Sequence, residues 1–307
     1  MTDAGMATVL LAESIQQALQ WKAEHGEKAR FAGGGTDLLL QTRSGRLKPE
    51  VLIGLPPVAA EVEEEGGVLV LPALATLADL AAHPLLRSQV PVLVEAMNQI
   101  GSPQIRNVAT LAGNLCNASP AADSAPVLLV YEASVVLAGA GRRRELPLDR
   151  FFIGPGRTAL APDEMLLQVR LPLPSAGERA LFRKFGPRGA NVISAASFSA
   201  RLHLSEGTVA GARLAAGSVG PRPLRLRDTE KALEGLRVSE LTAMVEEFAV
   251  RRTPAGNGAG ATRESLQAAV RRDISPISDV RGSAWYKGEV IERCLCWLFG
   301  RLGGESR

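Results

Sequence analysis

Two glycine-bearing segments constrain this chain more than anything else in it. One is Ala32-Gly33-Gly34-Gly35-Thr36-Asp37. The other is Thr110-Leu111-Ala112-Gly113-Asn114, which continues into Asn117-Ala118-Ser119-Pro120-Ala121-Ala122-Asp123. Each can present several backbone N–H groups with no side chain in the way. The first follows a short apolar stretch that reads as a strand, 29–32, and Thr36 adds a hydroxyl donor; consecutive amides after a strand suit an anion. The segment lacks the Lys-Ser/Thr ending of a Walker loop and is not a G-x-G-x-x-G fingerprint. The second segment offers the Thr110 hydroxyl and the amides of Ala112, Gly113 and Asn114. Two such loops closing on one diphosphate from opposite sides point to a dinucleotide held between two small lobes. Asp37 either accepts from a ribose hydroxyl or caps the turn. Asp123 either caps the helix that follows it or accepts from sugar or adenine groups.

The surrounding pattern supplies those lobes. Ser14 and Gln17 make a capping box for a helix running to about residue 24, with Ile15, Ala18, Leu19 and Lys22 on one face. Val51-Leu52-Ile53 reads as a buried strand, so residues 1–56 form a first α/β lobe. A second lobe, 57–174, opens with a hairpin around Gly66-Gly67. Thr76 caps a helix to about residue 83, and Pro91 starts another that ends at Gly101. Residues 126–137 read as a buried helix or a strand pair, and Gly139–Leu148 as a short turn carrying Arg142-Arg143-Arg144. Phe151-Phe152 falls in a loop as two exposed aromatics, and 164–171 alternates weakly. The third region, 178–307, has strands at 181–185, 192–204 and 209–218 by alternation. It then has helices at 239–252 and 262–272, a Gly/Pro/Asn loop at 253–261, and a final helix over about 284–302. Val290, Ile291, Cys294, Leu295 and Leu298 form the apolar stripe of that last helix.

Composition excludes several classes. Net charge is only +3 and aromatic content 4%, with no aromatics interleaved among basic residues, so nucleic acid is not an expected partner. Cys116, Cys294 and Cys296 form no C-x-x-C, which argues against a structural zinc or iron–sulfur site in this chain and for a reducing compartment. Cys294 and Cys296 face different sides of their helix. No apolar run is long enough to span a membrane. The first twenty residues lack the basic and apolar regions of a signal peptide, so a cytoplasmic location is expected.

The combined residues resemble a known family. Segments 32–37 and 110–123 are similar to the two FAD loops of the flavoprotein subunit of molybdenum hydroxylases, a group that includes the medium subunit of carbon monoxide dehydrogenase, the FAD domain of xanthine dehydrogenase and the corresponding subunit of 4-hydroxybenzoyl-CoA reductase. The likeness continues through Phe151–Thr158, Pro162–Leu166, Lys184, Asn191–Phe198, Gly217–Pro223 and Asp279–Tyr286, and so spans essentially the whole chain. It implies an α+β fold: a two-lobed FAD-binding domain of the vanillyl-alcohol-oxidase/xanthine-dehydrogenase type, plus a C-terminal α+β domain with an antiparallel sheet and helices. Cofactor contacts would come from Ala32, Gly33, Gly34, Gly35, Thr36 and Asp37 on the pyrophosphate and ribityl side. Thr110, Gly113, Asn114, Ser119 and Asp123 would complete the site. Leu160 and Leu166 would pack on the adenine or isoalloxazine faces, and Lys184 would approach the flavin ring, where a cation favours the reduced anionic state.

The chain departs from the family in four places. Three glycines stand where two are usual, so the pair falls in either of two registers. Ala112 replaces a glycine. Arg188-Gly189-Ala190-Asn191 stands where xanthine dehydrogenases carry an acidic residue, which leaves NAD or another molecule as the electron acceptor. Gly139–Leu148 lacks the cysteine-rich insertion that holds a four-iron cluster in 4-hydroxybenzoyl-CoA reductase. By resemblance, molybdopterin and two two-iron two-sulfur clusters would sit in a large and a small partner subunit, in a heterotrimer doubled to a hexamer. The rival readings are a self-sufficient FAD-dependent reductase of similar fold, such as the UDP-N-acetylenolpyruvoylglucosamine reductase class, and a non-enzymatic assembly subunit that has lost FAD.

Overall fold

The structure, a computed structural model, describes residues 7–188, 192–249 and 259–304. The chain divides into two compact units. The first comprises residues 1–118 and 132–173; the second comprises 119–131 and 174–307. The short run 119–131 therefore packs with the C-terminal residues although it lies, in chain order, inside the expected second lobe.

The first unit holds two sheets. The smaller is parallel, with Val51–Gly54 central between Thr8–Leu11 and Ala29–Ala32. Helix Ile15–His25 connects its outer strands. Ser14 Oγ accepts from the Gln17 N–H, while Gln17 Oε1 takes the N–H of Glu13 rather than that of Ser14. Ala18, Leu19 and Lys22 of this helix are buried, so the expected face is the buried one. The larger sheet is antiparallel, in the order Glu63–Glu65, Val68–Pro72, Met165–Pro172, Ser134–Gly139, Arg142–Pro147. After its second strand come the short helices Leu77–Ala82, Pro84–Gln89, Pro91–Asn98, Pro103–Arg106 and Leu111–Cys116, all in this unit.

Three local expectations are corrected here. Phe151 and Phe152 are buried rather than exposed, packed edge to face with ring centroids 5.5 Å apart. Two adjacent aromatics gave no alternation from which burial could be read. Arg142–Arg144 lies in a strand instead of a turn, its turn being confined to residues 140–141. Antiparallel pairing with Ser134–Gly139 absorbs the charges, and Arg142 and Arg144 bond Asp163 and Glu164. Third, Leu111–Cys116 is helical, so the second glycine segment is a helix start and not an open loop.

The second unit is built on the antiparallel sheet Glu178–Phe185, Ala196–Ser205, Thr208–Gly217, Leu224–Arg225. Helix Ser124–Val130, buried along its whole length, packs on this sheet. Helices Arg227–Leu233, Val238–Ala249, Ala259–Asp273 and Ala284–Gly304 complete the unit. The last of these presents Val290, Ile291, Cys294, Leu295 and Leu298 to a core that includes Phe198, Leu214 and Leu266. Residues 253–258 of the expected Gly/Pro/Asn loop and 189–191 of the divergent segment lie outside the described residues.

Candidate functional site

A cleft of about 690 Å³ opens in the first unit. It gathers ten of the expected site residues: Gly33, Gly34, Gly35, Thr36, Asp37, Thr110, Gly113, Asn114, Leu160 and Leu166. Ala32 ends the strand that delivers the first loop.

The first loop owes its shape to two glycines. A Cβ on Gly34 would stand 1.9 Å from the Val108 carbonyl oxygen, inside the van der Waals wall. Gly35 adopts φ +67°, the left-handed region that glycine enters without penalty. A Cβ on Gly33 would meet only the Thr110 side chain, at 3.3 Å. The pair that the backbone requires is therefore Gly34-Gly35. Among the described residues, no backbone N–H of residues 33–36 donates to a protein acceptor. Gly34, Gly35 and Thr36 are half-buried, where amides normally find partners, so the run is open to an external acceptor.

The second segment spends its amides differently. The Leu111 and Ala112 N–H groups donate to Ala75 and Ala73, at 3.3 and 2.6 Å. Thr110 Oγ1 accepts from Gly113 N at 3.0 Å as the helix cap, and Asn114 N donates to the Thr110 carbonyl. None of the expected amide donors of residues 112–114 is left for a ligand. What this side brings to the cleft is side chains and a close wall. Gln41 Nε2 donates to Asn117 Oδ1 at 3.0 Å, tying the helix after the first loop to the end of Leu111–Cys116.

Asp37 stands at the start of helix Leu38–Arg43, yet its side chain makes no capping bond. Desolvation against the cleft raises its pKa even though the residue is more than a third exposed. Opposite, Glu164 is buried and held below the usual carboxylate range, chiefly by paired hydrogen bonds from Arg144 at 2.8 and 2.7 Å. It also accepts from the Ala161 N–H. This clamp fixes the turn that carries Leu160 into the strand that carries Leu166. Cys116 lines the cleft, and burial pushes its thiol up to about 12, so it is a neutral wall.

Ser119, Asp123 and Lys184 belong to the second unit. Asp123 makes no capping bond to the helix it starts. It accepts from Lys184 Nζ at 2.7 Å and from Ser194 Oγ. Burial raises its pKa, and Lys184 opposes the shift. The side chains of Lys184 and Asp123 are 7% and 6% exposed, so the cation is one half of a buried pair rather than a solvated strand residue. Ser119 Oγ accepts from the Ala121 N–H in a local turn.

Among the cleft residues not singled out from the sequence are Lys22, Arg30 and Phe31, while Glu164 fell within the segment Pro162–Leu166 that carries the resemblance. Lys22 was legible as part of the buried helical face. The rest carry no local signal, because the cleft assembles them from separate strands and turns.

Comparison with known proteins agrees with this geometry. Residues 5–174 match the family model of the FAD binding domain in molybdopterin dehydrogenase. Residues 181–258 match the CO dehydrogenase flavoprotein C-terminal domain. The chain is 29% identical to the carbon monoxide dehydrogenase medium chain of Hydrogenophaga pseudoflava, over 92% of this chain and 93% of that protein. It is 28% identical to the putative xanthine dehydrogenase FAD-binding subunit of Escherichia coli strain K12, over 92% and 90%. A solved structure of the Hydrogenophaga pseudoflava carbon monoxide dehydrogenase superposes with a TM-score of 0.82 at 26% identity, covering 95% of each chain. The open amide cradle, the two-unit α+β fold and these matches together show that the chain belongs to the FAD-binding flavoprotein subunits of the molybdopterin dehydrogenase family and is an oxidoreductase subunit whose cofactor is FAD.

Proposed function

We propose that this chain carries FAD as the electron-transfer subunit of a multi-subunit molybdenum hydroxylase. The observation that carries the reading is the run of unpartnered amides at residues 33–36, held open by the contact of Gly34 with the Val108 backbone. Those amides and the Thr36 hydroxyl fit the diphosphate of a dinucleotide. Leu160 and Leu166 supply apolar surface to ring faces, while Thr110, Gly113 and Asn114 close the other side. Asp37, lacking a capping role, is free to accept from a ribose hydroxyl. The family resemblance adds Ser119, Asp123 and Lys184, with Asp123 keeping Lys184 oriented for the flavin ring. Bound FAD supplies a two-electron carrier between the clusters of an iron–sulfur partner and an external acceptor, NAD or another oxidant.

The partners in this proposal are a large molybdopterin subunit and a small iron–sulfur subunit, in a doubled heterotrimer in the cytoplasm. Among the described residues no group of His, Cys, Asp and Glu is arranged to hold a metal, and no helix is long and apolar enough to cross a membrane. The first test is the absorbance spectrum of the purified chain, with chromatographic identification of the flavin released on denaturation. Stoichiometric FAD without iron or molybdenum is expected. No flavin, even after incubation with FAD, sinks the redox role and leaves an assembly function.

A further inference from the structure

One end of the cleft carries a pair of cations that the fold does not neutralise. Lys22, 5% exposed, lies in the last turn of helix Ile15–His25 and lines the cleft. Its ammonium donates to the Gly26 and Ala29 carbonyls at 2.6 and 2.9 Å. Arg30 lines the same wall and donates to the Glu27 and Ala29 carbonyls at 2.7 and 2.9 Å. Both cations thus meet on one oxygen, that of Ala29. Neither forms an ion pair among the described residues; Glu27, on the same wall, and Asp163 reach Lys22 only through their field, and the ammonium also stands 6.0 Å from the Phe31 ring centroid. Burial, and then Arg30, hold the lysine below its ordinary pKa, the expected response of a cation short of counter-charge. An ammonium has three donors and a guanidinium five, so each side chain keeps donors in hand. Buried charges are ordinarily paired, and two like charges on one neutral oxygen are an unfinished site.

The position of the pair selects its ligand. Arg30 precedes the amide run by three residues of extended chain, which at roughly 3.3 Å per residue puts the cations on the order of 10 Å from the diphosphate cradle. That is too far to share one phosphate and the right length for the nucleoside beyond it. Resting on the FAD reading above, in which Lys184 serves the flavin ring, we infer that Lys22 and Arg30 form the subsite for the AMP half of the dinucleotide. Their spare donors take the purine nitrogens and ribose hydroxyls, and the Arg30 guanidinium or the neighbouring Phe31 ring covers a purine face.

Flavin-stripped protein titrated with FAD, and with ADP as competitor, tests this. Arg30→Gln is the deciding variant, since Arg30 is half-exposed and gives up only bonds to carbonyls. Lys22→Gln is the second, checked by thermal melting because Lys22 also fastens the end of its helix. The Kd for FAD and the inhibition constant for ADP are both expected to rise about tenfold in Arg30→Gln, the scale of one charged hydrogen bond. Arg30→Lys, which keeps the charge, should restore most of the loss. FAD affinity unchanged in both variants overturns the inference. So does weakened FAD with unchanged ADP, or a wild type that binds FAD but is not competed by millimolar ADP. A wild type that takes up no FAD sinks the cofactor reading itself.

Discussion

Both compact units pair buried charge, as Arg144 with Glu164 in the first, but the first also leaves polar groups open. In the second unit, buried charges meet opposite charges. Asp123 holds Lys184, Glu230 holds Arg225 at 2.5 and 2.8 Å, and Asp279 holds both Arg281 and Lys287, at 2.6 and 2.8 Å. Double charge assistance drives the Asp279 pKa far below the carboxylate range, with Arg281 the larger contributor. The Ser197 hydroxyl, buried with no hydrogen-bond partner, is an exception. In the first unit the amides of residues 33–36 have no protein acceptor, and the Lys22 and Arg30 cations donate only to neutral carbonyls, with the Phe31 ring 6.0 Å from Lys22. A closed polar group stabilises a fold; an open one in a cleft is stability withheld until a ligand completes it. The contrast separates polar groups that the fold itself closes from groups that it leaves open.

If that contrast is right, the largest stability effect lies in the second unit. Lys184→Met leaves the Asp123 carboxylate buried without its counter-charge and with only the Ser194 hydroxyl, at a cost of about 3–5 kcal/mol, read by urea denaturation. The double variant with Asp123→Asn should recover much of it, because the stranded charge is gone. A loss below about 1 kcal/mol in the single variant would mean that the pair is solvated, and the contrast would fail.

Gly34→Ala is the corresponding test in the first unit. The added methyl cannot coexist with the Val108 carbonyl at 1.9 Å, so the loop must move off it. FAD affinity is expected to fall at least about 100-fold, roughly 2.7 kcal/mol. The second unit's unfolding should be unaffected. Retained flavin would show that the amide run is not the cradle. Thr110→Ala should do much less. It removes the cap to Gly113 and costs about 1 kcal/mol of stability, seen as a small drop in melting temperature.

The same contrast explains what was legible in the sequence. The Ser14 cap, the strand into Gly33 and the apolar stripe of the last helix follow local rules, and the structure keeps them, though Gln17 reaches back to Glu13 and not to Ser14. Partnerships across the chain left no such trace. Asp123 and Lys184 are 61 positions apart, and Asp123 satisfied the local signature of a cap equally well. Thr110–Asn114 read as a loop because Gly113 breaks helices more often than it begins them. The helix becomes visible only once Ala73 and Ala75 are seen taking its first amides. Lys22 fell on the buried face by spacing, but its lack of a counter-charge is a fact of three dimensions.

The finest test is the position where this chain departs from its family. Ala112 stands where the resemblance implies a glycine, and the simplest reading is that its methyl blocks an amide from the cofactor. The structure argues otherwise. The Ala112 N–H already donates to Ala73 at 2.6 Å, and the side chain is 5% exposed. Ala112→Gly should therefore cost about 0.5–1 kcal/mol through backbone freedom in a helical turn and lost packing. It should not tighten FAD. Gly33→Ala, the reciprocal change on the first loop, should leave FAD affinity within about twofold, since its methyl meets only Thr110 at 3.3 Å and its fixed φ is not left-handed. Measured side by side, the two variants ask whether cofactor binding follows the glycine count or the free amides. Tighter FAD in Ala112→Gly would mean that the second segment has an open amide after all, and that the division between a spent wall and an open cradle is drawn in the wrong place.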